Sequence, residues 1–257
     1  MGYFSEQQAA ELVTRLQDAV SEVTEVKAKV LLHVFQRAKA SEYATHGICR
    51  RLDTLVHCSQ RVFDLLAPSL EEVPEGRTVK EATVHVQSFV SNVIGVLDNI
   101  AWVWISERDL KHRNGDDFSP KEVKLSRDCR DLWRDLPLDF RNRVVEFRDW
   151  FTHASEWRDA LVHRIPLYIP PFSVRDIESY NQLEGASYAA LRDRNYRKLE
   201  LLNEEIEKMK FFAPLIMHSF SENAQPNVFH ANLVTDLMTV SVLIGSLMDC
   251  VEQLDSQ

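Results

Sequence analysis

Glycine and proline are scarce, seven and nine residues in a chain of 257, and the one Asn-Gly pair, Asn114-Gly115, does not sit between alternating apolar runs. Aliphatic residues recur at helical rather than alternating spacing, so strand content should be minor. Cysteine is scarce too. Cys49, Cys58, Cys129 and Cys250 form no Cys-x-x-Cys pair, which excludes a metal finger or a disulfide framework and leaves reduced thiols in the core. Basic residues are outnumbered, 30 Lys and Arg against 39 Asp and Glu, for a net charge of -9. That balance argues against holding nucleic acid on a broad basic surface but leaves room for a local basic site.

Other signatures are missing as well. No phosphate-binding glycine loop, dinucleotide fingerprint, His-Glu-x-x-His pair or Gly-x-Ser-x-Gly elbow occurs, and no two of the nine histidines are spaced i and i+4, so neither a cofactor nor a metal is expected. The most apolar stretch, Val90 to Ile105, is short for a membrane span and contains Ser91, Asn92, Asp98 and Asn99. It reads as a buried helix, with no membrane association expected. From Ser5 to Glu11 the chain is polar, without the basic and apolar regions of a secretory signal, so a cytoplasmic location is expected.

What is present is helix. Ser5 with Gln8 forms a capping box, and Leu12, Leu16, Ala19, Val23, Val26 and Val30 follow at alternating four and three spacing, predicting a helix over 6–41. Its seam suits packing within the bundle, or less readily against a second copy. A second helix is predicted over 46–66, ended by Pro68, Pro74 and Gly76. Thr78-Val79-Lys80-Glu81 should cap a central helix carrying Phe89, Val93, Ile94, Leu97, Ile100, Ala101 and Trp104, and Ser119-Pro120-Lys121-Glu122 should open a short one.

After Pro137 a long helix should run to about His163, then an extended apolar segment with Pro166, Pro170 and Pro171, a short turn of helix near Ser173, a charged outer helix over 192–210 and an apolar last helix over 227–254. The expected architecture is an all-α bundle of long helices. An N-terminal helical hairpin (1–72) should pack on the main bundle (78–257) as one cooperative unit, and the five tryptophans should share one aromatic core region.

Arg158-Asp159-Ala160-Leu161-Val162-His163, running on into Arg-Ile-Pro-Leu-Tyr-Ile-Pro-Pro, resembles the motif helix of bacterial HEPN proteins: arginine, a polar residue, three variable residues and histidine, followed by a proline-rich segment. The likeness covers about a fifth of the chain, with Asp98-Asn99 similar to the polar pair found opposite the motif. It implies a compact helical bundle, a homodimer whose two motifs line one cleft, and metal-independent cleavage of RNA, in a toxin–antitoxin or antiphage setting with an antitoxin or other partner protein. In that reading His163 moves the proton of the ribose 2′-OH or of the leaving oxygen, Arg158 holds the scissile phosphate, and Asp159, four residues before His163, orients the imidazole.

Two features of the sequence bear on that reading. Arg148-Asp149-Trp150-Phe151-Thr152-His153 fits the same short pattern, and ten residues of helix turn one copy about 80° from the other, so only one copy should face a cleft. Arg158 and His163 themselves lie about 140° apart around an ideal helix, so their convergence needs a long arginine reach or a second chain. The rival expectation is a non-catalytic helical protein that binds a partner protein or a nucleotide, which the heptad seams and acidic charge also suit.

Overall fold

The computed structural model describes residues 3–219 and 225–255, and it is an all-α bundle. Helix α1 (Glu6–Leu32) begins at the Ser5 and Gln8 capping box and buries Leu16, Ala19, Val23 and Val30. Its seam packs within the chain, on α10 (Phe229–Asp255) and α3 (Arg50–Leu65). It stops nine residues earlier than predicted. His33 is extended (φ -75°, ψ 138°), and the next turn is anchored by Glu107, whose carboxylate accepts from the backbone N–H groups of Gln36 (2.7 Å) and Arg37 (3.2 Å). Helix α2 (Ala38–Glu42) then runs through a π-helical turn (Tyr43–Cys49) into α3, so the second helical stretch starts well before residue 46.

Helix α4 (Gly76–Glu107) is the axis of the bundle, packed by α3, α10, the π-turn and α7. It opens at Gly76, with the Glu75 carbonyl accepting from Val79 N–H (3.1 Å), so Thr78 lies inside the helix rather than capping it. By length and composition α4 and α10 are both apolar enough to cross a membrane, and most of each is buried inside the bundle. Because α1 shares its core with α10, the N-terminal helices are built into the bundle rather than resting on it.

Residues 108–129 form a loop of turns that sinks Phe118, Val123, Leu125 and Cys129 into the core. The predicted helix after Ser119 does not form. Glu122 does accept from Ser119 N–H, but the same carboxylate also takes His112 Nε2 (3.2 Å) while His112 Nδ1 meets Asp131 (3.0 Å), which staples the loop across rather than along a helix axis. Helix α5 (Arg130–Asp135) follows. The predicted long helix after Pro137 is two, α6 (Leu138–Glu146) and α7 (Arg148–His163), broken at Phe147 (φ -94°, ψ 15°).

Beyond α7 the proline-rich segment lies against the bundle as expected, with Leu167 and Ile169 buried, Gln87 donating to the Leu167 carbonyl (2.6 Å) and Tyr168 bridged to Met217. Ser173–Val174 (β1) pairs with Lys210–Phe211 (β2), and Leu215–Ile216 (β3) with Asn227–Val228 (β4). Between them stands a helical hairpin, α8 (Ile177–Arg192) and α9 (Tyr196–Met209). The short turn expected near Ser173 is instead strand β1, and Asp176 caps α8, a helix of sixteen residues that the sequence reading missed; Arg194 in a left-handed conformation (φ 55°) separates the pair.

Trp102, Trp104 and Trp157 belong to one hydrophobic core and Trp133 and Trp150 pack against it, but their rings meet different partners. Trp104 donates to Asp135 (2.8 Å) and Trp150 to Asp236 (2.7 Å), while Trp102 stacks on Tyr43 (5.3 Å between centroids, 11°). All four cysteines are free and buried, and burial raises their thiol pKa values.

Candidate functional site

A cleft of about 880 Å³ opens where α7 crosses α4, walled by the 119–128 part of the loop and by α6. The loop reaches it because Val123 and Leu125 are buried, which turns Lys121, Lys124 and Arg127 outward to the rim. The lining holds five cations and four carboxylates, a local balance unlike that of the whole chain. Trp133 adds an aromatic wall with the Arg127 guanidinium 5.9 Å from its ring centre.

Arg158 lines this cleft from α7, one-third exposed. Its Nη1 lies 3.3 Å from Asp159 Oδ1, and its Nε is buried with no hydrogen-bond partner. Asp98 lines the same cleft from α4. Burial raises its carboxyl pKa above the usual carboxylate range, against the opposing pull of Arg158, Arg51 and Lys124. The cleft therefore contains a guanidinium with unused donor capacity, paired with Asp159 and close enough to the Asp98 carboxyl to act on it.

The other residues singled out in the sequence lie elsewhere or act differently. His163 ends α7 exposed to solvent and does not line the cleft. Asp159 pairs with Arg158 rather than with His163. Val162 and Ile165, beside His163, are exposed at 56% and 45%, an apolar surface next to the imidazole.

For the second motif copy the expectation that only one would face the cleft fails for the arginines. Arg148, 82% exposed at the start of α7, reaches the rim alongside Arg158 because its long side chain spans the angular offset. His153 does not. It packs on Trp157 (4.8 Å between ring centres), and burial lowers its pKa. Behind it a cavity of about 10 Å³ also touches Asn232 and Asp236. Burial pushes the Asp236 carboxyl up to about 7 in spite of its bond from Trp150.

Sequence reasoning missed the loop cations and the Asp236 cluster. Lys121, Lys124 and Arg127 carry no motif, and only the loop fold gathers them. Among the described residues no group of three or more His, Cys, Asp and Glu is arranged to hold a metal. Comparison with protein-family models, with curated proteins and with solved structures gave no match to this chain.

Proposed function

We propose that this chain is a HEPN-type endoribonuclease, working without a metal, whose site is completed between two copies. The observation that carries the reading is Arg158. A guanidinium at the wall of a cleft of about 880 Å³, with a buried Nε that has no partner, is the group that would hold a scissile phosphate and neutralise the charge growing on it.

The histidine comes from the other chain. Within one chain His163 stands outside the cleft, as the 140° offset on the helix requires, and the exposed Val162 and Ile165 beside it are the surface on which a second copy docks. The partner's imidazole takes the ribose 2′-OH proton as the 2′ oxygen attacks phosphorus. The P–O5′ bond breaks, and a proton returns to the leaving oxygen, giving a 2′,3′-cyclic phosphate and a 5′-hydroxyl. Lys121, Lys124, Arg127 and Arg148 track the flanking phosphates. A toxin or antiphage role with a protein antitoxin would follow from the resemblance alone.

One observation favours the rival reading of a non-catalytic binding protein: the cleft that holds Arg158 does not include His163. Cleavage of a mixed RNA pool in EDTA separates the two. Wild type and His153→Ala should cleave, while Arg158→Ala and His163→Ala should not. Mixing the two inactive variants should restore about a quarter of the wild-type rate, since half of the dimers would then carry one intact site of two. Two inactive variants that stay inactive when mixed would reject the shared site, and an inactive wild type that still binds RNA through the cleft would favour the rival.

A further inference from the structure

A second recess, of about 460 Å³, opens on another face of α4, against the π-helical turn. Its floor is the Arg51 guanidinium, and the groups holding it are neutral. Nε donates to Asn99 Oδ1 (3.0 Å) and Nη1 to Asn92 Oδ1 (2.9 Å), while Asn92 donates onward to the Ser88 carbonyl (2.8 Å). Among the described residues no carboxylate lies within ion-pair distance of Arg51, and the remaining guanidinium N–H groups have no protein acceptor.

Two glycines make this packing achievable. A Cβ at Gly95 would overlap the Arg51 guanidinium, and one at Gly47 would stand 2.8 Å from the Asn99 side chain. The backbone of α4 and of the π-turn is thus brought against the groups that hold Arg51. The π-turn itself inserts a wide turn between α2 and α3, a feature that helices often place at functional sites. It sets Tyr43, His46 and Arg50 around the recess, with Lys39 from α2. Tyr43 lies flat on Trp102, and Lys39 Nζ stands 5.1 Å from the Trp102 ring centre.

The lining therefore gathers Lys39, Arg50 and Arg51 against one carboxylate, Glu42, in a chain whose net charge is -9. Beyond the lining, Asp98 also feels Arg51, together with Arg158 and Lys124. Clustered cations repel one another, and an anion in the recess removes that repulsion. A carboxylate ligand would neutralise one charge, whereas a phosphate monoester brings about two and offers three oxygens to the guanidinium fork.

We propose that this recess binds a phosphate group carried on a small molecule, with Arg51 as the fork beneath it and Lys39 and Arg50 closing on it from the rim. The volume lies in the range of small-ligand pockets. The site uses neither Arg158 nor His163, so it stands apart from the ribonuclease reading.

Calorimetric titration of the full chain with pyrophosphate, AMP and adenosine at low ionic strength tests it. Pyrophosphate and AMP should bind and adenosine should not. AMP binding more tightly than pyrophosphate would assign a nucleotide to the site, and equal binding would assign free phosphate. The double variant Lys39→Gln/Arg50→Gln, altered only at exposed side chains, should bind at least tenfold more weakly, with a ligand-free melting temperature no lower than that of wild type because the repulsion among the three cations is relieved. Arg158→Ala should bind as wild type. Failure of wild type to bind either phosphate compound, or loss of binding in Arg158→Ala with retention in the double variant, would overturn the proposal.

Discussion

Asp236→Asn should make the protein more stable at pH 8 and have little effect at pH 4. Asp236 accepts a hydrogen bond from Trp150 Nε1 (2.7 Å), and burial nevertheless moves its pKa from 3.8 to about 7. Such a carboxyl is protonated in both folded and unfolded chains below about 3.8, so it costs nothing there. As pH rises from 3.8 towards 7 the unfolded chain ionises first, and the favourable contribution of the neutral folded form is lost, completely above about 7. The full difference corresponds to about 4 kcal/mol, an upper bound because Asp236 as a residue keeps some contact with solvent.

Asparagine keeps the oxygen that Trp150 needs and adds an N–H₂ whose unmet bonds cost about 1 kcal/mol, which leaves a gain of about 1–3 kcal/mol at pH 8. Two neighbours share the cavity. His153 is held below its usual pKa and is neutral at pH 8, and Asn232 Nδ2 already lacks a partner. Urea unfolding of wild type and variant from pH 5 to pH 8 reads the effect directly. Stability curves that run parallel across that range would refute the buried-carboxyl argument.

His230 is fully buried, with Nε2 2.6 Å from the Leu66 carbonyl oxygen and a pKa lowered to about 4, so its contribution is present above about 6.5 and is lost as pH falls towards 4. Melting curves should show an acid loss of about 3 kcal/mol that His230→Gln flattens, and an equal loss in the variant would assign it elsewhere. His112, between Asp131 and Glu122, has its pKa raised by those bonds, so its staple is strongest below the usual imidazole range and weakens as pH rises through the folded value. His112→Gln should speed proteolytic nicking within 108–129, and an unchanged rate would show that the buried Phe118, Val123 and Leu125 suffice. Gly95→Ala, by displacing the Arg51 guanidinium, should cost about 1–3 kcal/mol in urea, whereas a neutral result would mean that Arg51 has room to move.

The long helices were legible because their signals are local and redundant. The α1 seam and the apolar run of α4 each repeat over many turns, so no single residue decides them. The breaks were not legible. Phe147 interrupts a pattern that stays periodic on both sides, and α1 stops at Leu32 because the Glu107 carboxylate, 71 residues beyond Gln36, captures the next turn. Ser119 to Glu122 shows the same competition: the capping residues are correct, but His112 and Asp131 recruit the carboxylate into a cross-loop staple.

The candidate site was partly legible for a related reason. Arg158 was identified from its motif and lies in the cleft, whereas the other rim cations depend on a loop whose path is set by which apolar residues sink. The Arg51 recess left no trace in the sequence, since it depends on two glycines in separate helices meeting side chains from elsewhere.

One residue links the two regions. Asp98 on α4 is drawn towards Arg158 and Lys124 at the cleft and towards Arg51 at the recess, and a single carboxylate with a raised pKa cannot neutralise three cations. Elsewhere on this surface several cations are met by carboxylates of the chain, as Arg61 by Glu81 (2.7 Å) and Lys29 by Asp249 (2.5 Å). At the cleft and the recess the pattern differs: Arg51 and Arg158 are met by amides or by one exposed aspartate, and Arg158 Nε by nothing. With 39 acidic residues available, positive charge left only partly met at two neighbouring places costs stability in the free protein, and the phosphate-bearing ligand proposed for the recess would relieve that cost there.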